Sequence, residues 1–174
     1  MPSQTTPSEL SQYLTFQIAE EEYAIGILRV REIIQYETVT MVPHTPHWIR
    51  GVINLRGNVV PVVDLAVKFG LRPTEPTPST CIVIVEVSID GEAAVMGVLA
   101  DSVSQVIDLR PEQIQAPPAF GTRVHVDFLQ GMGQMDKKFV LILDIDRVLT
   151  SDELLAAAAL QVQDAAPPAE ARQA

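Results

Sequence analysis

The sequence predicts a mainly β protein built as two similar small barrels, and three observations point there. Apolar residues make up 47 % of the chain but aromatics only 5 %, so Val, Ile and Leu must supply the core. Their branched members suit a pleated, half-buried surface better than a helix. Apolar positions recur at period two in short runs separated by Gly, Asp and Asn. Finally, the second half of the chain resembles the first.

The elements follow in order. Residues 1–12 are polar with two prolines, which predicts a disordered N-terminal segment. From Tyr13 the chain turns apolar: Leu14, Phe16 and Ile18 alternate with polar neighbours, Glu20-Glu21-Glu22 reads as an acidic turn, and Tyr23, Ile25 and Ile27 complete a hairpin. Leu28 to Ile33 reads as one or two helical turns. Gly51 to Leu55 and Val59 to Asp64 form a second pair across Arg56-Gly57-Asn58. Asp64 suits the cap of a short turn, Leu65 to Phe69. A third pair runs from Thr80 to Ser88 and Ala93 to Leu99 around Asp90-Gly91, a hairpin dipeptide. Ala100 to Val106 again looks helical. Gly131-Met132-Gly133 reads as a turn before a buried strand, Phe139 to Asp144, and Ile145 to Leu149 as a turn capped by Asp144. Ser151 caps a last helix, Leu154 to Leu160. Residues 161–174, rich in Ala, Pro and Gln, read as a disordered C-terminal tail. One domain of two barrel subdomains is therefore expected over 13–160.

The repeat supports the pair of barrels. Ile25-Gly26-Ile27 leads into Val30 and Ile33; Met96-Gly97-Val98 leads into Val103 and Val106. Asp64 and Asp144 close the two copies 80 residues apart, while Ile27 and Val98 are 71 apart. Two copies do not make a solenoid. Two small sheets side by side, each closed on itself, would leave no exposed edges.

Composition narrows the function. With 22 acidic and 12 basic residues the net charge is −10, which repels phosphate backbones and anionic leaflets. Neither nucleic-acid binding nor membrane insertion is expected. No apolar stretch approaches bilayer length and no basic-then-apolar leader opens the chain, so the cytoplasm is the expected compartment. Cys81, the one cysteine, lies in an apolar run and reads as inert core. His44 and His47 sit in a proline-broken loop without the third ligand that zinc needs, and His125 reads as a strand residue. No serine elbow, phosphate loop or convergent set of acids is present. No catalytic residue, cofactor or metal is therefore expected.

One constellation invites a function. Val30 with Ile33 and Val103 with Val106 would each lie on one face of a turn, and two such faces could line a groove for an amphipathic helix. From the pattern alone, core is the favoured reading of all four. Glu32 and Arg56 could form an ion pair tying the first turn to the Arg56-Gly57 corner.

These residues also carry a resemblance. Glu21-Glu22-Tyr23-Ala24-Ile25, Val30-Arg31-Glu32-Ile33, Gly51-Val52-Ile53-Asn54-Leu55-Arg56-Gly57, Val60-Pro61-Val62-Val63-Asp64-Leu65, Val103-Ser104-Gln105-Val106 and Pro111-Glu112-Gln113-Ile114 resemble the CheW family of chemotaxis coupling proteins, in family order from about Tyr13 to Leu155. The resemblance implies two intertwined five-stranded SH3-like β-barrels sharing a hydrophobic core. It implies a non-enzymatic adaptor coupling methyl-accepting chemoreceptors to the histidine kinase CheA. Such an adaptor would be monomeric alone, ring-forming in arrays, and recruited from the cytoplasm to membrane receptors. By position, the groove for the receptor's cytoplasmic tip would be Val30, Glu32, Ile33, Gly51, Arg56, Gly97, Val103 and Val106. The CheA regulatory domain would bind near Gln115 and Phe120; Gln115 stands where the family's best-known member has a basic residue. Residues 88–92 lengthen one hairpin without an assigned role. The alternatives are an adaptor of another chemosensory array, such as pilus motility, or a small β-barrel enzyme.

Overall fold

The computed structural model describes residues 11–89, 91–116, 128–135 and 138–148. The helix expected after Ser151, His125, Phe120, Asp90 and both terminal segments beyond these bounds lie outside the described residues.

Alternation becomes strand wherever it is regular. The hairpin β1 (Ser11–Ile18) and β2 (Glu21–Gly26) buries Leu14, Phe16, Ile18, Tyr23 and Ile25, and begins two residues ahead of the expected Tyr13. Its turn needs Ala19 and Glu20 at positive φ, and the Ala19 N–H donates to the Asp101 carboxylate at 2.8 Å. A single 3-10 turn, Ile27–Arg29, leads to β3 (Val30–Gln35). The second hairpin is β4 (Ile49–Leu55) and β5 (Asn58–Val63), with Arg56 and Gly57 both at positive φ between them. Asp64 then caps α1 (Leu65–Lys68), accepting from the Ala66 N–H. The third hairpin is β6 (Cys81–Ile89) and β7 (Glu92–Ala100), followed by β8 (Ser102–Leu109). A 3-10 turn, Pro111–Gln113, precedes the two-residue β9 (Ile114–Gln115). The hairpin β10 (Leu129–Met135) and β11 (Lys138–Leu143) and the short α2 (Ile145–Val148) complete the described chain.

Several sequence expectations need correction. Val30–Gln35 and Ser102–Leu109 are strands rather than helical turns. Gly131 and Gly133 lie inside β10 instead of forming a turn. A Cβ on Gly131 would come 2.7 Å from Ile114 and 2.9 Å from the Gln115 carbonyl, and one on Gly133 would come 2.6 Å from Leu109. These glycines let the small third layer of core close over the sheet. Phe139, expected buried, is 46 % exposed at the start of β11. Cys81 is only partly buried, because it opens its strand.

The strands form two sheets, in the orders β8-β1-β2-β11-β10-β9 and β3-β6-β7-β5-β4. One sheet thus has six strands and not five, the sixth being β9. Nor do the repeats lie side by side. Each sheet takes one hairpin from one half of the chain and the rest of its strands from the other: β1–β2 joins β8 to β11, and β6–β7 joins β3 to β5. The joints are parallel: β5 pairs with β7 through Val62–Gly97, and β11 pairs with β2 through Ile142–Ala24. The equivalence is close. Both first hairpins match through Leu14–Ile25 and Val83–Val98, and both second hairpins carry a register shift, at Ile49/Gly51 and at Leu129/Gly131.

Pairing also corrects the repeat's spacing. Val30 answers to Val103 and Ala24 to Gly97, both 73 residues apart, so alignment on the glycines Gly26 and Gly97 slips by two. Leu14 answers to Val83, 69 apart, and Val62 to Ile142, 80 apart. The growth from 69 to 73 is a four-residue extension at the tip of β6–β7, where the sequence suggested an insertion.

The largest core cluster draws on both sheets: Leu14, Phe16, Tyr23 and Ile25 from one, Val63, Val83, Val85 and Val98 from the other. Burying each such side chain contributes about 1.5–3 kcal/mol for the larger aliphatics and Phe. Aromatic rings run through it from Phe16 to Tyr23, Phe69 and Phe128, with centroids 5.7–6.4 Å apart. Smaller clusters back each sheet: Ile53, Val60, Val62, Ile82, Ile84 and Leu99 behind the five-stranded one, and Tyr13, Ala24, Leu109, Val140 and Ile142 behind the other.

Candidate docking surface

A strand turns successive side chains to opposite faces, so residues three apart should part company. In β3 and β8 they do not. The β3–β6 register slips between Val30 and Glu32, and the β1–β8 register slips between Thr15 and Phe16, opposite Val103 and Gln105. Each slip is a bulge that inserts one residue, Arg31 or Ser104, and so restores the face. Val30 and Ile33 stand opposite Val85 and Val83; Val103 and Val106 stand opposite Phe16 and Leu14. All four opposing residues belong to the shared core cluster. A bulged strand thus imitates helical spacing, which is why the sequence read as turns.

β3 and β8 are each the first strand of their sheet, and they are equivalent in the repeat. Val30 and Val103 pack against the shared core from its margin. Beside them, Ile33 is 41 % and Val106 48 % exposed. Neither the wholly buried reading nor the wholly exposed one holds: each edge has an anchored valine and an open aliphatic neighbour.

The remaining expected groove residues are not one patch with these. Glu32 stands opposite Ile84 of the smaller cluster, on the other face of β3. There the Arg56 guanidinium grips it with two hydrogen bonds, Nη1 to Oε2 at 2.6 Å and Nη2 to Oε1 at 2.8 Å. The hydrogen bonds from Arg56 hold the Glu32 carboxyl below its ordinary range, outweighing the opposing effect of desolvation, with the charges of Arg56 and Arg31 adding to them. Glu32, in turn, holds Arg56 above its own. The pair borders a pocket of about 420 Å³ with Leu55, Val60, Ile84 and Val95. Gly51 and Gly97 are buried. Gly51, at φ +150°, lies where a Cβ would meet the Thr40 carbonyl at 2.2 Å; at Gly97 it would meet Ile82 at 2.7 Å. Their place is in close packing beneath the surface.

Gln115 is exposed on β9, opposite Met132. The Asp pair of the repeat is structural. Asp64 is 1 % exposed and accepts from Thr74 N–H and Oγ1, both at 2.9 Å, and from Arg50 at 2.9 Å; Asp144 accepts from the Arg147 N–H at 3.3 Å. Among the described residues no three His, Cys, Asp or Glu side chains gather as a metal site, and no helix is long and apolar enough to cross a membrane.

Sequence reasoning missed a set of ion pairs around β3. Arg29 forms a forked pair with Asp146 of α2, at 3.1 and 2.5 Å, and also donates to the Glu86 carbonyl at 3.2 Å. Arg31 pairs with the Glu86 carboxylate at 2.5 Å. Separations of 117 and 55 residues leave no sequence signal for such pairs.

The CheW-like domain family matches residues 12–153. The chain is 36 % identical over 143 residues to the chemotaxis protein CheW of Klebsiella aerogenes, covering 82 % of this chain and 84 % of that one. It is 32 % identical over 146 residues to the probable chemotaxis protein CheW of Rhizobium etli, covering 84 % and 92 %. The crystal structure of the scaffolding protein TtCheW from Thermoanaerobacter tengcongensis superposes with a TM-score of 0.72 at 31 % identity, covering 82 % of this chain and 90 % of that one.

Proposed function

Because this chain belongs to the CheW-like family, whose members are chemotaxis scaffolding proteins and not enzymes, we propose that it couples methyl-accepting chemoreceptors to the histidine kinase CheA. The receptor's cytoplasmic tip, a helical hairpin in the family, docks against β3 and β8. The observation that carries this reading is the pair of matching edge strands, each with a bulge that turns an open aliphatic, Ile33 or Val106, toward the shared-core side. A helix that lays its apolar stripe on such a margin buries those side chains without disturbing Val30 and Val103 beneath. The pair Glu32–Arg56, on the other face of β3, braces that strand against the β4–β5 corner. Gln115 and the segment with Phe120 serve the CheA regulatory domain. The protein is cytoplasmic, monomeric by itself, and joins rings with CheA beneath the receptors.

Ile33→Glu and Val106→Glu test the docking surface. Both side chains are already partly in water, so each variant should melt close to the parent. Receptor binding should fall steeply, since an unpaired carboxylate covered by an apolar helix costs several kcal/mol, against about 8 kcal/mol for a micromolar contact. CheA-domain affinity should hold. Variants that fold normally and bind a receptor signalling fragment as the parent does would move the docking site off these strands.

A further inference from the structure

We propose that Arg29 and Asp146 are a positioning clamp that holds the start of the β3 docking edge against the other half of the molecule, and so sets the affinity for a helical partner; the inference rests on the docking reading above. The clamp sits where the chain crosses between sheets. Arg29 ends the 3-10 turn that leaves β2, in the six-stranded sheet, for β3, in the five-stranded one. Asp146 lies in α2, directly after β11 of the six-stranded sheet, and its Oδ1 also accepts the Ser88 N–H of β6 at 3.2 Å. Arg29 reaches the Glu86 carbonyl of the same β6, and Arg31 takes the Glu86 carboxylate. Val30 therefore lies between two arginines, each anchored to an element other than its own strand.

An edge strand needs such an anchor at this point. β3 has a ladder partner on one side only, β6, and its first pair, Val30–Val85, is next to the bulge at Arg31. A bulge interrupts the ladder and leaves that end the easiest to fray. The Arg29 fork replaces the missing hydrogen bonds with two charge-assisted ones. The equivalent crossover has no such device: the positions corresponding to Arg29 and Asp146 hold Ser102 and Ala66. The start of the second edge is instead held within its own sheet, where the Asp101 N–H donates to the Gln17 carbonyl and the Asp101 carboxylate accepts the Ala19 N–H, both at 2.8 Å. The clamp is thus an asymmetric addition to a symmetric frame.

The pair is 40 % and 32 % exposed, so it contributes little to global stability. That separates positioning from folding. Asp146→Asn keeps the shape and loses the charge; Asp146→Glu keeps the charge. In the full chain, Asp146→Asn should melt within roughly 2 °C of the parent. It should speed amide exchange across Val30–Ile34 and weaken binding of a receptor signalling fragment roughly threefold to fivefold at low salt. The gap between parent and variant should narrow toward 1 M salt, where the screening length is about 3 Å. Asp146→Glu should recover most of the lost affinity. Unchanged exchange at β3 together with unchanged affinity in Asp146→Asn would overturn the clamp, and so would a collapse of the melt, which would make the pair purely structural. A parent that binds no receptor fragment at all would sink the docking reading, while the exchange measurement would still decide the clamp.

Discussion

Glu32 and Arg56 show how much one residue pair can do without stabilising the fold. Arg56 is largely in water, and an exposed pair contributes little to global stability. It ties Arg56, which stands at positive φ in the two-residue turn between β4 and β5, to Glu32 of the edge strand β3 instead. Since Glu32 is held below its ordinary value of 4.5, the pair is fully formed above that pH and lost as pH falls through the lowered value. Carboxylate chemical shifts should therefore give Glu32 a midpoint below 4.5, and Arg56→Ala should return it to the ordinary range with the melting temperature essentially unchanged. A midpoint that ignores the substitution would mean that Arg56 does not hold the carboxylate in solution.

At the scale of elements, the bulges reconcile a three-residue spacing with the two-residue period of a strand. Ser104 is the extra residue that puts Val103 and Val106 on one face. Its deletion would restore a regular ladder from Thr15 to Phe16, with Gln105 directly after Val103 and the pairs Val103–Phe16 and Val106–Leu14 unchanged. Val103 and Val106 would then stand two apart and still share the face toward the core, so only the local bend of the bulge is lost. The deletion variant should stay β-rich by circular dichroism and bind a receptor fragment far better than Val106→Glu does. A loss of binding as deep as that of Val106→Glu would show that the bend of the bulge, and not the shared face, makes the docking edge.

At the scale of the molecule, the exchange of strands makes two sheets into one cooperative unit. Each sheet closes only with strands from both halves of the chain, through the β5–β7 and β2–β11 joints. Trp48 and Phe128, equivalent in the repeat, flank Lys68, whose ammonium lies 5.0 and 5.2 Å from their ring centres. Unfolding should thus be a single transition, with Trp48 fluorescence and far-UV circular dichroism coinciding in denaturant. Separate fragments 1–78 and 79–174 should each lack stable β structure, because neither contains a complete sheet. Two resolved transitions, or a folded fragment, would show that the halves are autonomous.

What the sequence by itself determined is what depends on near neighbours. The three hairpins, the caps at Asp64 and Asp144, the mainly β class and the repeat all follow from alternation, turn residues and short-range spacing. The motif Asn54-Leu55-Arg56-Gly57 through Asp64-Leu65 was specific enough to carry the family. The spacing of Val30 with Ile33 and of Val103 with Val106 marks one face in each case, but through a bulged strand and not a helical turn, since both give the same three-residue spacing. Only the tertiary structure decided what depends on distant partners: that the repeats exchange strands, that Glu32 turns away from Val30 and Ile33, and that Gly51 and Gly97 lie under the surface. Arg29 finds Asp146 for the same reason. A side chain's face is set by the register of the strand beside it, and that register is made by residues dozens of positions away.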